Sequence, residues 1–120
     1  MEQAKTDACA ESIETFKTEL IWRDFAYSTL WDRPEVLKHP FRPAWEGFPW
    51  LNDPQDWKAW TDGRTGYPVI DAAARELRET GFVHNRARMI TASFLCKHLL
   101  IDYRRGESHF LKYLTDGDWA

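Results

Sequence analysis

Residues 81–89 run Gly81-Phe82-Val83-His84-Asn85-Arg86-Ala87-Arg88-Met89, and an apolar stretch over 90–100 follows at once. A helix breaker, an aromatic ring, an imidazole, an amide and two guanidinium groups therefore stand just ahead of a run suited to burial. That order reads as a loop delivering polar groups onto the first turn of a central helix over residues 85–97. Upstream, residues 68–80 predict another helix. Pro68 suits its first turn, Ile70, Ala73, Ala74 and Leu77 make one buried stripe, and Gly81 ends it. Downstream, Asp102 predicts the cap of a last helix over 103–114, with Gly106 weakening its middle.

Working outward, Asp53-Pro54 opens a short helix over 54–61 that carries Trp57 and Trp60. Asp62-Gly63-Arg64-Thr65-Gly66-Tyr67 then reads as a tight turn. It lacks the Gly-Lys-Ser/Thr ending of a phosphate loop, so a structural turn is the better reading. Residues 32–54 hold Pro34, Pro40, Pro43, Pro49 and Pro54, a spacing that predicts neither helix nor central strand. They read as an ordered connector with Phe41, Trp45, Phe48 and Trp50 plugged into helical surfaces. Residues 7–31 read as one long helix whose stripe is Cys9, Ile13, Phe16 and Leu20. From Leu20 its apolar character widens through Ile21, Trp22, Phe25, Tyr27, Leu30 and Trp31, which predicts burial on most sides. No stretch carries a strong strand signal, so the class is all-α.

Seven Trp in 120 residues is an unusual density. Indole N–H groups need partners when buried, so the enrichment points to a stacking surface, a cleft, or an aromatic face open to association. The net charge is −3, with acidic side chains in excess over residues 1–35 and basic ones in excess over 82–120. Nucleic-acid binding would then rest on a local patch and not on bulk charge. Cys9 and Cys96 suggest neither a disulfide framework nor a zinc site. No apolar run approaches the roughly 18 residues of a membrane span, and no leader pattern is present. These features place the chain in the cytoplasm with no membrane partner.

Asp116 and Asp118 supply too few oxygens for a calcium loop, and the four His show no ligand spacing, so no metal is expected. No Ser or Cys comes with an evident base and orienting acid. What remains is aromatic rings interleaved with Arg: Glu19, Trp22 and Arg23 at i, i+3 and i+4, and Phe82 with Asn85, Arg86 and Arg88. Such groups can stack planar rings, read a heterocycle edge and pair with phosphate. The plainer reading of the same residues is core aromatics flanked by surface Arg.

Five ordered motifs carry more than any one of them. They are Glu19-Leu20-Ile21-Trp22-Arg23-Asp24-Phe25, Gly63-Arg64-Thr65-Gly66-Tyr67-Pro68 leading to Asp71-Ala72-Ala73, His84-Asn85-Arg86-Ala87-Arg88-Met89, Ser93-Phe94-Leu95 with Leu99-Leu100-Ile101-Asp102, and Asp116-Gly117-Asp118. In this order and spacing the chain resembles the helical FAD-binding domain of the DNA photolyase and cryptochrome family, from about Glu19 to Ala120. The resemblance implies FAD as cofactor and DNA containing pyrimidine dimers as partner. It also implies a partial segment of that domain, without the antenna domain or the flanking FAD-binding segments. The chain's end on Trp119 reads as a cut edge.

Carried over by motif, Trp22 would stack on the dimer, and Glu19 would hydrogen-bond its bases and stabilise charge on it. Asn85 would lie between flavin and dimer, Arg86 would contact DNA phosphate, and Met89 would pack near the lesion. Arg23 would lie toward the cofactor and also serve the DNA side. Arg88 would pair with Asp116 beside the flavin, and the Asp116, Gly117, Asp118 turn would hydrogen-bond the flavin and its ribityl chain. Phe16 and Phe82 stand where family members often carry Trp, keeping an aromatic face toward the cofactor. Trp60 matches the outer station of the family's Trp electron relay, and Tyr103 stands at its middle station. Tyr is harder to oxidise than Trp unless it also loses its proton.

The implied function is light-driven repair of cyclobutane pyrimidine dimers by electron transfer from reduced FAD. Two other readings accompany it: a cryptochrome-like blue-light sensor without repair, and an inactive truncated helical fragment that retains no FAD alone.

Overall fold

A computed structural model describes the backbone of residues 2–118 and side chains from Cys9 onward; Trp119 lies outside the described residues. Five α-helices and two short 3-10 helices follow one another: α1 (Glu2–Asp32), 3-10 turns at Pro34–Leu37 and Pro43–Trp45, α2 (Pro54–Asp62), α3 (Pro68–Thr80), α4 (Asn85–Lys97) and α5 (Tyr103–Tyr113). No strand occurs among the described residues. The chain divides into two compact units, Met1–Glu46 and Gly47–Asp118.

The first unit is built on α1. Its hydroxyl side chains bond back one turn, as in Thr15 to the Glu11 carbonyl and Thr29 to the Phe25 carbonyl. It stops at Asp32 because Arg33 precedes Pro34, which disfavours helical backbone at Arg33. The connector does hold helix, contrary to expectation: each 3-10 turn starts on a Pro, where the missing N–H costs nothing. The expected burial of α1 is also not found. Phe16 is 64% exposed, Trp22 62% and Trp31 88%. The physical reason lies within this unit: besides α1, its described residues form only short turns, which offer no second layer to cover a helix apolar on several sides. Phe41 and Trp45 likewise stay exposed, each 55% accessible, and Arg33 sits over the Phe41 ring at 4.5 Å.

The second unit is a four-helix assembly. Asp53 caps α2 by accepting from the Gln55 and Asp56 amides, at 2.7 and 3.1 Å. Gly63 ends the helix at φ 65°. A Cβ there would meet the Asp71 carbonyl at 2.7 Å, so glycine is required by both backbone and space. The core has two clusters. Trp60, Ile70, Leu95 and Ile101 form one, and Ala73, Leu77 and Val83 form the other, with Phe110 packed against both. Ile70, Ala73 and Leu77 are the expected α3 stripe. Gly106 proves to be more than a weak point in α5. It is buried, and a Cβ there would lie 2.5 Å from Leu95 Cδ2, so it lets α5 approach α4.

The Pro-rich connector enters this unit by hydrogen bonds. The Leu51 and Asn52 amides both donate to the Leu100 carbonyl, at 2.8 and 3.3 Å, and Asn52 Oδ1 accepts from the Asp102 amide at 3.0 Å. Leu100 holds φ 50°, costly for a branched side chain, and the doubly bonded carbonyl offsets that cost. Here Phe48 and Trp50 do pack as expected. Their ring centroids are 4.5 Å apart, and Trp50 meets Tyr103 edge-on at 6.4 Å.

Candidate functional site

The polar stretch over 81–89 becomes a loop and the first turn of α4, held against a second turn over 115–118. Gly81 starts it at φ 70°. The Thr115 amide and hydroxyl both donate to the Gly81 carbonyl, at 2.9 and 3.2 Å, which ties the two turns together. Thr80 Oγ1 donates to the Phe82 carbonyl at 2.8 Å and accepts from its amide at 3.1 Å, which sets the loop's exit. His84 caps α4: its Nδ1 accepts from the Arg86 amide at 3.2 Å, so the ring proton belongs on Nε2. The sequence reading passed over this cap, although an acceptor immediately before Asn85 was the signal for it.

Arg88 joins the parts. Its Nε donates to the Val83 carbonyl at 2.6 Å, and its Nη2 donates to both Asp116 oxygens at 3.0 and 2.9 Å. The guanidinium also lies 5.3 Å from the centre of the Phe82 ring. One side chain thus fixes the loop, the α4 turn and the acidic turn. Gly117 rests in van der Waals reach of Leu111 and Leu114, so the acidic turn sits on the end of α5. Asn85, Arg86 and Met89 are exposed along the α4 turn. Arg86 Nη1 contacts Met89 Sδ at 3.8 Å. Asn85 makes no side-chain hydrogen bond among the described residues, which leaves an amide free at the positive end of a helix dipole. Arg86 and Met89 also edge an apolar groove of about 630 Å³ floored by Tyr67, Val69, Ile90 and Phe94.

Phe16, Glu19, Trp22 and Arg23 belong to α1 in the other unit, and all four are exposed. Trp22 meets Phe25 edge-on at 5.8 Å, and Arg23 lies 3.7 Å from Asp24.

The turn over 62–67 is structural. Asp71, buried at the start of α3, accepts from the Thr65 amide (2.7 Å), the Thr65 hydroxyl (2.6 Å) and the Gly66 amide (3.0 Å). The N–H groups that would cradle a phosphate are turned inward onto this carboxylate. Burial pushes its pKa up, but the bonds from Thr65 and Gly66 outweigh that, and the net shift is downward.

Trp60 is 3% exposed and donates its indole N–H to the Thr91 carbonyl at 3.2 Å. Its ring neighbours are Trp57, His109 and Phe110. A core residue of this kind does not suit an outer, water-facing station. The half-buried aromatic against Tyr103 is Trp50. The connector's hydrogen bonds to Leu100 and Asp102 hold the chain next to Trp50 in this position, a contact no local pattern announces.

The sequence pattern of the family described as the FAD binding domain of DNA photolyase matches residues 16–120. The chain belongs to that family. A deoxyribodipyrimidine photo-lyase of Synechococcus is 47% identical over 117 residues, spanning 98% of this chain and 24% of that protein. One of Escherichia coli is 50% identical over 103 residues, spanning 85% of this chain and 22% of that protein. Among solved structures, a bacterial class III photolyase from Agrobacterium tumefaciens superposes with a TM-score of 0.84 at 47% identity, covering 87% of this chain and 22% of that one. A Synechocystis cryptochrome superposes with a TM-score of 0.81 at 41% identity, covering 88% and 22%. The photolyase-family chain therefore spans about a quarter of the length of the curated relatives it matches. Its all-α architecture is that of the family's FAD-binding domain. Among its described residues, no helix is long and apolar enough to cross a membrane.

Proposed function

We propose that this chain forms part of the FAD-binding helical domain of a cytoplasmic deoxyribodipyrimidine photolyase, which repairs cyclobutane pyrimidine dimers in DNA with light. The observation that carries the reading is the clasp of Arg88 on Asp116 at the first turn of α4, within a chain that matches the family over residues 16–120.

The residues present fit a flavin. A planar heterocycle needs an aromatic face, donors and acceptors at its edge, and fixed charges nearby. Exposed Phe82, the free amide of Asn85, and Asp116 held by Arg88 supply these. Asp116, Gly117 and Asp118 would hold the flavin edge and ribityl chain; the family resemblance also assigns Phe16 and Arg23 to the cofactor. When bound, reduced FAD would supply the photoexcited electron that opens the dimer.

The chain's own residues do the positioning. Trp22, with most of its ring in water, stacks on the extruded dimer, and Glu19 one turn earlier hydrogen-bonds the dimer's bases. Asn85 faces flavin and dimer, Arg86 binds a flanking phosphate at the positive end of α4, and Met89 packs on the lesion. For reduction of the flavin, Trp50 replaces Trp60 as the water-side relay station next to Tyr103. The curated relatives' names favour repair over the blue-light sensor reading.

The test is a segment exchange into the Escherichia coli relative, with this chain replacing its matched segment. The expected result is a flavin-containing chimera that repairs thymine dimers under blue light and loses most repair on Glu19→Ala. A flavin-loaded chimera with no repair would refute the catalytic assignment. A chimera that folds but retains no flavin would refute the cofactor site.

A further inference from the structure

Away from the α4 turn, the second unit carries another groove, of about 670 Å³, between α2, α3 and α5. It shares no lining residue with the apolar groove beside Arg86 and Met89. Its charge is one-sided: Arg78, Arg104, Arg105 and Lys112 face a single carboxylate, Asp62. That carboxylate is already engaged by Arg64 and, at 3.3 Å, by Arg78, and Arg104 is paired with Asp102 at 2.6 Å. Arg105 and Lys112 pair with no carboxylate among the described residues. Arg105 lies over the Trp57 ring at 4.4 Å and Lys112 near the Tyr113 ring at 5.3 Å. The charged heads themselves lie over these ring faces at the edge of the groove, and Arg105 Nη1 also donates to the Asn52 carbonyl at 3.4 Å.

We propose that this groove binds the phosphodiester backbone of a single nucleic-acid strand, at a place separate from the α4 turn. Arg105 and Lys112 lie seven residues apart on α5, about 10 Å along its axis, far enough apart to meet different phosphates of one strand. Arg78, on α3, supplies the opposite bank. The length of the cationic row favours a strand over a compact anion, and the face of Trp57 taken by Arg105 leaves no stacking platform for a free nucleotide base. Burial holds the His109 pKa down to about 4, with Lys112 and Arg78 adding repulsion, so this side chain is neutral in the groove and the positive potential comes from fixed cations. The chain's net charge of −3 then makes the contact local and salt-sensitive.

The experiment is fluorescence anisotropy of a short labelled, undamaged oligothymidylate against the full chain across a salt series. Saturable binding is expected. Lys112→Glu combined with Arg105→Gln weakens it about tenfold and flattens the slope of log affinity against log salt by about 1.4, the share of two phosphate contacts on a single strand. Lys112→Glu alone, at an exposed position, weakens it severalfold with the helical circular dichroism unchanged. Two results would overturn the proposal. One is binding lost on Arg86→Gln and untouched by Lys112→Glu, which places the strand on the α4 turn. The other is tripolyphosphate competing as well as an oligonucleotide, with no gain from added length, which makes the groove a small-anion site.

Discussion

Asp71 offers the sharpest test of how the second unit is held together. It is 8% exposed and accepts three hydrogen bonds from the turn between α2 and α3. Bonds to an ionised acceptor contribute about 1.5 kcal/mol each at the low end, or about 4.5 kcal/mol for three. Thr65 and Gly66 lie near the surface, so water recovers part of this when the carboxylate is removed. Asp71→Ala is therefore expected to cost about 3 kcal/mol, which for a domain of this size lowers Tm by about 12 °C. The loss has a pH signature. The folded pKa lies below its unfolded value, so the stabilisation is fully present above about pH 4 and fades as pH falls through the lowered folded value. Asp71→Asn, which cannot ionise, should remove that part of the acid slope. The assay is thermal unfolding by far-UV circular dichroism between pH 2 and pH 7. A Tm loss under about 4 °C for Asp71→Ala, or an unchanged acid slope in Asp71→Asn, would refute the assignment of Asp71 as the anchor of this turn.

Three further outcomes are expected. Gly81→Ala forces a Cβ to within 2.9 Å of Thr115 Cγ2 at φ 70°; it should destabilise by about 2–3 kcal/mol and speed amide exchange at Thr115 and Asp116. His109 has a folded pKa near 4, below its unfolded 6.5, so the unfolded chain binds the extra proton between those values and stability falls on acidification through that window. Discounted for the ring's partial exposure, the fall is about 1–2 kcal/mol, and His109→Gln should abolish it in urea titrations at pH 7 and pH 5. Burial of Glu107 raises its pKa and gives a slope of opposite sign, which the comparison with the variant cancels. Arg88→Lys should cost about 1–2 kcal/mol of stability: the pair with Asp116 is part-exposed and contributes little, but the Val83 carbonyl loses its donor; hydrogen exchange should show the turn over 115–118 loosened.

The helix ends of the second unit were legible because each carries its own punctuation. Asp53-Pro54, Pro68, Gly81 and Asp102 act locally, through caps and fixed or positive φ, and α2, α3 and α5 begin or end where they stand, whereas the His84 cap of α4 went unread. The stripe Ile70, Ala73, Leu77 was legible for the same reason, since one helix period decides it. The residues misjudged are those whose environment depends on distant chain. Gly106 scores as a helix weakener until Leu95 comes within reach of its missing Cβ. Trp50 and Trp60 are alike in sequence, and the connector's bonds to Leu100 and Asp102, distant in the chain, accompany the placement of Trp50 beside Tyr103. The apolar width of α1 indicates surface that favours cover, but composition cannot say that its own unit provides none.

The candidate site residues differ in how far they are ordered before anything binds. Arg88 already makes three hydrogen bonds and lies against Phe82, so the geometry it imposes on Asp116 carries little further entropy cost. Asn85, Arg86, Glu19 and Trp22 stand exposed, and fixing rotamer-rich side chains of this kind costs roughly 0.5–1.5 kcal/mol each. A ligand edge that meets Arg88 and Asp116 therefore gains from a preformed surface, whereas a ligand that must engage Trp22 and Glu19 works against their freedom. It follows that substitutions at Arg88 or Asp116 act on how well the site is prepared. Those at Trp22 or Glu19 act on contacts made only once the ligand is seated. The first kind should show in hydrogen exchange of the ligand-free chain, and the second kind should not.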